Sequence, residues 1–422
     1  GTLQQILSEH YPDKKIVHVG DNRKADVEKT IAAGIDAVYN PDSHFVFREP
    51  ELENIAGSFY RAVIQTQMNN GLWDKDLYYS HGYRVGGILA AGYCEFINQI
   101  VEKKGIDQIL FCSRDCDILY KIYNRFYKKA ETAYIMTSRL ALFQITSEHY
   151  LYDLEGRYIF RYLKLYRDSK PLQTILTECG YGYLVNELEK YNLDRYQFPC
   201  AVDEKRLHNF IFSNSRKIQN QNIENREAAK KYFSEVIGEN KNILVVDIGW
   251  AGTSITALKY FLGEYLLEKS CRVTGALMCT NRNEITKNSI QFSEIEAYIN
   301  TPYQNMDLTR YIFPGPPRSR SVTLMDKLHM PLEYLFTSTE PSLLSYCFHP
   351  DGTVGFEYSD KEIPNPEQIL SMQAGMTDFV EQYVSHTKDF SGYFTIPPYT
   401  AFMPLKAAID HERYSYEVYK DY

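Results

Sequence analysis

Four short apolar runs, each passing straight into a polar turn, constrain this chain more than any other feature. They are "QILFCS" (108–113), "AYIMTS" (133–138), "NILVVDIG" (242–249) and "RVTGALMCTN" (272–281). Runs of this length read as buried strands. Helical stretches alternate with them: "YRVGGILAAGYCEFINQIVEKKG" before the first, "DILYKIYNRFYKK" after it and "TSITALKYFLGEYLLE" after the third. Strand and helix in this order predict an α/β fold built on a doubly wound, Rossmann-like parallel sheet. Residues from about 148 to 235 are polar, tyrosine-rich and helical in pattern, and read as a helical insertion in a domain spanning 79–345. A linker and helix (46–78) precede it, the helix around "SFYRAVIQTQMNN". After a proline-rich turn "FPGPPRSRS" comes a tail over 346–422, with a hairpin "CFHPDGTVGFEYS" turning at Asp351 and Gly352 and a helix "NPEQILSMQAGMTDFVEQYVSHT".

Residues 1–45 repeat the alternation on a smaller scale. A helix "TLQQILSEHY", a strand "KKIVHVG", a helix "KADVEKTIAAG" and a strand "IDAVYN" ended by Pro41 make one and a half βα units. Such a piece cannot bury both faces of a sheet by itself, so it either docks on the rest of the chain or pairs with strands from further upstream. Asp21 sits on the turn after its first strand and Asp26 opens its helix. Two hard oxygen donors at a strand's carboxyl edge suit Mg²⁺; the plainer alternative is that they cap a turn and a helix. The string "HVGDNRKADVEKTIAAGIDAVY" resembles the fourth motif of the haloacid dehalogenase superfamily. The resemblance implies that Asp21 helps hold Mg²⁺ and that Asp26 supports it. That family's chemistry also needs an aspartate nucleophile in an upstream DxDx(T/V) loop. No such loop precedes the motif here, so the N-terminal segment is expected to be catalytically silent as it stands.

Charge and length exclude several classes. A formal net charge of -8 and a pI near 5.8 argue against a sequence-independent grip on nucleic acid, which is mainly electrostatic. The longest apolar stretch, Val85 to Ile97, is too short to cross a bilayer. Eight cysteines without a CxxC pair indicate neither a zinc site nor a disulfide framework, so reduced thiols and a cytoplasmic location are expected. The 36 tyrosines against 2 tryptophans point to amphipathic rings packed half in water, with carbohydrate stacking as the other use.

Three strand ends gather the polar residues. The first run leads into Arg114, Asp115, Cys116 and Asp117, the second into Thr137, Ser138 and Arg139, the third into Asp247, Gly249, Gly252, Thr253 and Ser254. The carboxyl edge is where such sheets bind ligands, and a glycine turn opening a helix presents amide groups to a phosphate. We therefore expect Asp115, Asp117 and Asp247 to carry chemistry, and Arg114, Ser138, Arg139, Gly252, Thr253 and Ser254 to bind a phosphorylated sugar or nucleotide-sugar, the arginines as anion partners.

The strings "FCSRDCD", "SRLA" and "VDIGWAGT" resemble the large C-terminal domain of dehalogenase-like predicted hydrolases from bacterial capsule and O-antigen genes, whose pattern runs "FL(A/S)RDG", "SRRA" and "VDIGWxGT". The likeness spans about residues 80 to 345, with Cys116 in place of the usual glycine. It implies a role in surface-polysaccharide synthesis and no particular reaction; phosphoryl or glycosyl transfer is the reaction class expected from the strand-end residues themselves. One mechanism makes Asp115 and Asp117 a dehalogenase-type nucleophile pair, Ser138 the second-motif hydroxyl and Asp247 a metal ligand. Against it, Arg114 intrudes between strand and Asp115, and no lysine for the phosphate is identifiable. A phosphoribosyltransferase-like enzyme is a further alternative, lacking the paired acids and TGGT-like turn of that loop. A non-catalytic scaffold for a glycosyltransferase is the third; open carboxylates and arginines around one cleft would favour an enzyme, and internally saturated ones a scaffold.

Overall fold

In the computed structural model the described residues are 9–20, 22–39, 47–68, 70, 72–149, 163, 164, 166–267, 272–281, 283–308, 329–390 and 392–420. Most of the opening helix, Asp21, Pro41 and the proline-rich turn lie outside them.

The four apolar runs form strands β3 (Gln108–Cys112), β4 (Glu131–Ile135), β5 (Asn242–Asp247) and β6 (Arg272–Leu277), joined at one edge by β7 (Ile295–Ala297). All pairings are parallel and the order across the sheet is β4-β3-β5-β6-β7. Counted within the sheet this is 2-1-3-4-5, so the order reverses between β3 and β5. Strand loops diverge at such a switch point and leave a crevice at the carboxyl edge.

Period-two alternation sorts each strand's side chains between two cores. Ile109, Phe111, Leu244 and Val246 join a buried cluster with the helices Gly87–Lys104, Asp117–Phe126 and Pro366–Thr387. Leu110, Cys112, Ile243 and Val245 face the other way, onto Arg139–Ile145, Ser215–Ile237 and Thr253–Tyr265. Helices therefore cover both faces, which is why these strands read as continuous apolar runs. The described residues between β4 and β5 form helices over Leu172–Glu178, Gly182–Tyr191, Glu204–Ser213 and Ser215–Ile237.

The tail is built into the same core. Helix Pro366–Thr387 packs on the helical run from Leu77 to Lys104 so closely that a Cβ on Gly82 would meet the Met372 carbonyl oxygen at 1.9 Å, and one on Gly375 the Tyr79 oxygen at 2.1 Å. The antiparallel hairpin β8 (Leu343–Phe348) and β9 (Val354–Tyr358) lies over Ser215–Ile237, with Tyr346 fully buried. Many tyrosines serve as core residues whose hydroxyls bond backbone carbonyls: Tyr60 to Arg84 at 2.9 Å, Tyr93 to Asp247 at 2.8 Å and Tyr346 to Met136 at 2.8 Å. Such a side chain adds apolar area and gives a backbone carbonyl a hydrogen-bond partner.

The N-terminal segment forms a separate two-stranded parallel sheet, β1 (Val17–Gly20) with β2 (Asp36–Tyr39), linked by helical turns over Arg23–Glu28 and Lys29–Ala32. Val17, Val19, Val38 and Tyr39 stay between 45% and 59% exposed, as expected of too few strands to close a core. Among the described residues no helix is long and apolar enough to cross a membrane.

Candidate functional site

The loops leaving β3, β4 and β5 enclose a cavity of about 340 Å³ at the switch point, lined among others by Arg114, Asp115, Ser138, Arg139, Asp247 and Ser254. Six of the expected site residues, from three strand ends, thus share one crevice.

The turn after β3 is held from several sides. Arg114 adopts a left-handed backbone (φ 71°), a conformation that costs a non-glycine residue about 1–2 kcal/mol. Its amide donates to the Tyr134 hydroxyl at 2.7 Å, and that hydroxyl donates to Glu340 at 2.5 Å. Its guanidinium donates to Ser342 Oγ at 2.6 Å. Ser113 Oγ donates to the Thr137 carbonyl at 2.7 Å and accepts from the Thr137 amide at 3.0 Å, fastening the β3 and β4 loops together. The thiol of Cys116, where the resembling pattern has glycine, is buried and donates to the Val246 carbonyl at 3.4 Å. The left-handed residue of the turn is Arg114 instead.

This scaffold presents two carboxyls to the cavity. Asp115 makes no side-chain hydrogen bond or ion pair among the described residues, while Asp247 accepts one bond, from the Ile248 amide at 2.8 Å. Burial pushes the Asp115 carboxyl up to about 7, reinforced by the negative charge of Asp247 and eased by Arg114. Asp247 rises to about 6, again chiefly through burial, with the Ile248 amide and Arg139 pulling the other way. Two neighbouring carboxyls held above their ordinary range share protons near neutrality, the condition for acid–base exchange. Arg139 is exposed and forms no ion pair among the described residues, leaving its guanidinium open to a ligand.

Other expected residues have different work. Asp117, read as half of a nucleophile pair, does not line the cavity: it is 8% exposed and pairs with Lys121 at 2.7 Å, one helical turn on. Gly252 and Thr253 also lie off the cavity wall. Gly252 takes φ 69° at the helix start, and a Cβ there would meet Ile295 Cδ1 at 2.5 Å, so close packing accounts for the glycine. Ser138 lines the cavity, but its hydroxyl donates to the Leu343 carbonyl at 2.7 Å and accepts from the Ala141 amide at 3.0 Å, capping a helix.

At the N-terminal motif, Asp21 lies outside the described residues. Asp26 accepts from the Asn22 amide at 2.9 Å and pairs with His18 at 3.4 Å, which is the local capping geometry. Among the described residues no group of three or more His, Cys, Asp and Glu could hold a metal ion.

The crevice also contains residues that the strand-end reading missed. Trp250 lines it, its indole nitrogen donating to Glu333, which lines it too. Lys361, just past the hairpin, supplies the cation that no motif indicated; it pairs at 3.4 Å with Glu178, which Lys170 also holds at 2.6 Å. No family model matches the chain, and no curated protein matches it.

Proposed function

We propose that this chain is an enzyme of phosphorylated-sugar metabolism, taking a sugar phosphate or nucleotide-sugar in the crevice at the carboxyl edge of β3, β4 and β5. The observation that carries this reading is the pair of under-bonded carboxyls, Asp115 and Asp247, set among Arg114, Arg139 and Lys361 in one cavity. A structural ion-pair cluster would saturate its carboxylates internally, and these are not saturated.

The mixture of signs selects the ligand. Four carboxyls line the cavity with three cations, so a bare polyanion is poorly matched. A sugar phosphate offers hydroxyls to the carboxyls and phosphate oxygens to Arg139, Arg114 and Lys361. In this reading Arg139 and Lys361 orient the phosphate, and Trp250 supplies an apolar wall. Asp115, holding a proton near neutrality, is the general acid for the leaving oxygen, and Asp247 is its electrostatic partner. Asp247, as an ionised carboxylate, would also suit Mg²⁺ in the mode where one carboxylate and the substrate's phosphates share the ion. Bound there, Mg²⁺ would supply charge neutralisation at the phosphate.

The resemblance to dehalogenase-like hydrolases of capsule and O-antigen genes, and a Rossmann-like lineage for the sheet, belong to the same proposal. So do a cytoplasmic site of action, a glycosyltransferase partner and a vestigial dehalogenase-type motif at Asp21 and Asp26. The test is release of phosphate, nucleotide or sugar from a panel of nucleotide-sugars and sugar phosphates, with and without Mg²⁺. Turnover that Asp115→Asn and Asp247→Asn each lower by about 100-fold or more supports the assignment. Turnover untouched by both substitutions overturns it.

A further inference from the structure

A second cavity, of about 370 Å³, shares no lining residue with the first and is built for a different ligand. It lies where the start of the helical run from Leu77 meets helix Pro366–Thr387. Three aromatic rings form its wall: Trp73 packs on Tyr79 and Tyr83 with centroids 5.7 and 5.1 Å away, and Tyr79 and Tyr83 stack 13° from parallel. Across from them, Asp378, Glu381 and Gln382 share one face of their helix, since residues three and four apart lie together. The Tyr79 hydroxyl donates to Asp378, fixing that carboxylate at the rim. Tyr83 lines this cavity while only 2% exposed, and its hydroxyl has no hydrogen-bond partner among the described residues. A buried hydroxyl left so costs about 1–3 kcal/mol, which a polar ligand would offset.

We propose that this cavity is a binding site for a neutral saccharide, with the half-buried Trp73 and Tyr79 rings, backed by Tyr83, as its stacking wall and Asp378, Gln382 and the Tyr83 hydroxyl as partners for sugar hydroxyls. Adjacent aromatic faces and planar side chains are what a polyol with apolar C–H faces can use together. A cationic ligand fits less well. The ring centroids lie within 6.3 Å of one another, so the rings pack together instead of surrounding a cation. Glu381 is already paired with Arg125 at 2.8 Å, and the Lys75 ammonium already stands 5.5 Å over the Tyr79 ring. The proposal does not rest on the chemistry at Asp115 and Asp247, and either can fail without the other.

The chain's 2 tryptophans, Trp73 and Trp250, fall one in each cavity, so the full-length Trp250→Phe protein reports on Trp73 alone. Its emission is titrated with malto-, cello-, laminari- and chitohexaose, and with tetramethylammonium chloride. A saturable change with at least one hexasaccharide is expected. Affinity should weaken about two- to tenfold in Tyr83→Phe, which removes only the hydroxyl. In the wild-type background, followed by ligand-observed NMR, Trp73→Ala should weaken it about tenfold or more, with circular dichroism confirming the fold. No response to any hexasaccharide, a response that Tyr83→Phe and Trp73→Ala leave unchanged, or saturation by tetramethylammonium alone would each overturn the proposal.

Discussion

Replacing Asp115 by asparagine should stabilise the protein at alkaline pH while removing its function. The Asp115 carboxyl sits at about 7 against an ordinary value of 3.8, a gap of about 3 pH units, so its folded form binds a proton more tightly than its unfolded form. Stability contributed by such a group is greatest below pH 4 and is lost as pH rises through 7. At 1.36 kcal/mol per pH unit the whole gap is about 4 kcal/mol. The cavity opens to water and Arg114 lies near, so we expect about 1–3 kcal/mol to be recovered in Asp115→Asn at pH 8. At pH 4 both proteins carry a neutral group and should agree within about 0.5 kcal/mol. Urea denaturation at the two pH values, with the slopes checked for two-state behaviour, gives both numbers. A substitution that destabilises at pH 8, or whose effect is the same at both, would refute the claim that Asp115 is a desolvated and under-paired carboxyl.

Arg114→Gly should leave stability within about 1 kcal/mol, because relief of the left-handed strain offsets the lost bond to Ser342, yet weaken phosphorylated ligands tenfold or more by titration calorimetry. Gly252→Ala places a methyl 2.5 Å from Ile295 Cδ1 at a left-handed position and should lower thermal stability by about 1–3 kcal/mol, seen by calorimetry. His81 is buried between the hydroxyls of Tyr414, at 3.1 Å, and Tyr419, at 2.8 Å, and burial pulls its imidazole down to about 3 from 6.5. Its folded form binds protons less tightly than its unfolded form, so stability should fall as pH drops from 6.5 toward 3, by up to about 5 kcal/mol. His81→Gln should remove about one proton from that acid slope, measured by denaturant titration across the range.

The main sheet was legible because β3, β5 and β6 are covered on both faces, which makes each a dense apolar run ending at its carboxyl turn. β7 was not: Ile295–Ala297 is too short for a periodic signal and gains its identity only by pairing with β6. Of the helical tail expected over 346–422, the final helices Pro398–Asp410 and Glu412–Tyr419 carry no bounds of their own in the sequence pattern, since they are ordered by contacts such as His81 with Tyr414 and Tyr419. At the crevice, strand-end logic placed Arg114, Asp115, Arg139 and Asp247 correctly on one edge. It could not separate Asp115 from Asp117, because the left-handed turn at Arg114 and the helix starting at Asp117 decide which carboxyl faces the cavity. Glu333 lies in "PLEYLFTSTEPSLLSY" (331–346), inside the family likeness but given no role by it, and Lys361 comes from a segment without a motif; only tertiary packing brings them to the strand ends.

Isothermal titration with nucleotide-sugars, sugar phosphates and phosphoribosyl pyrophosphate, with and without Mg²⁺, on the wild type, Asp247→Asn and Arg139→Ala, decides whether the crevice takes a phosphorylated sugar. Saturable binding of a phosphorylated sugar, weakened by tenfold or more in both substituted proteins, is expected. A folded protein that binds none of the panel, or binds equally well after both substitutions, would contradict it.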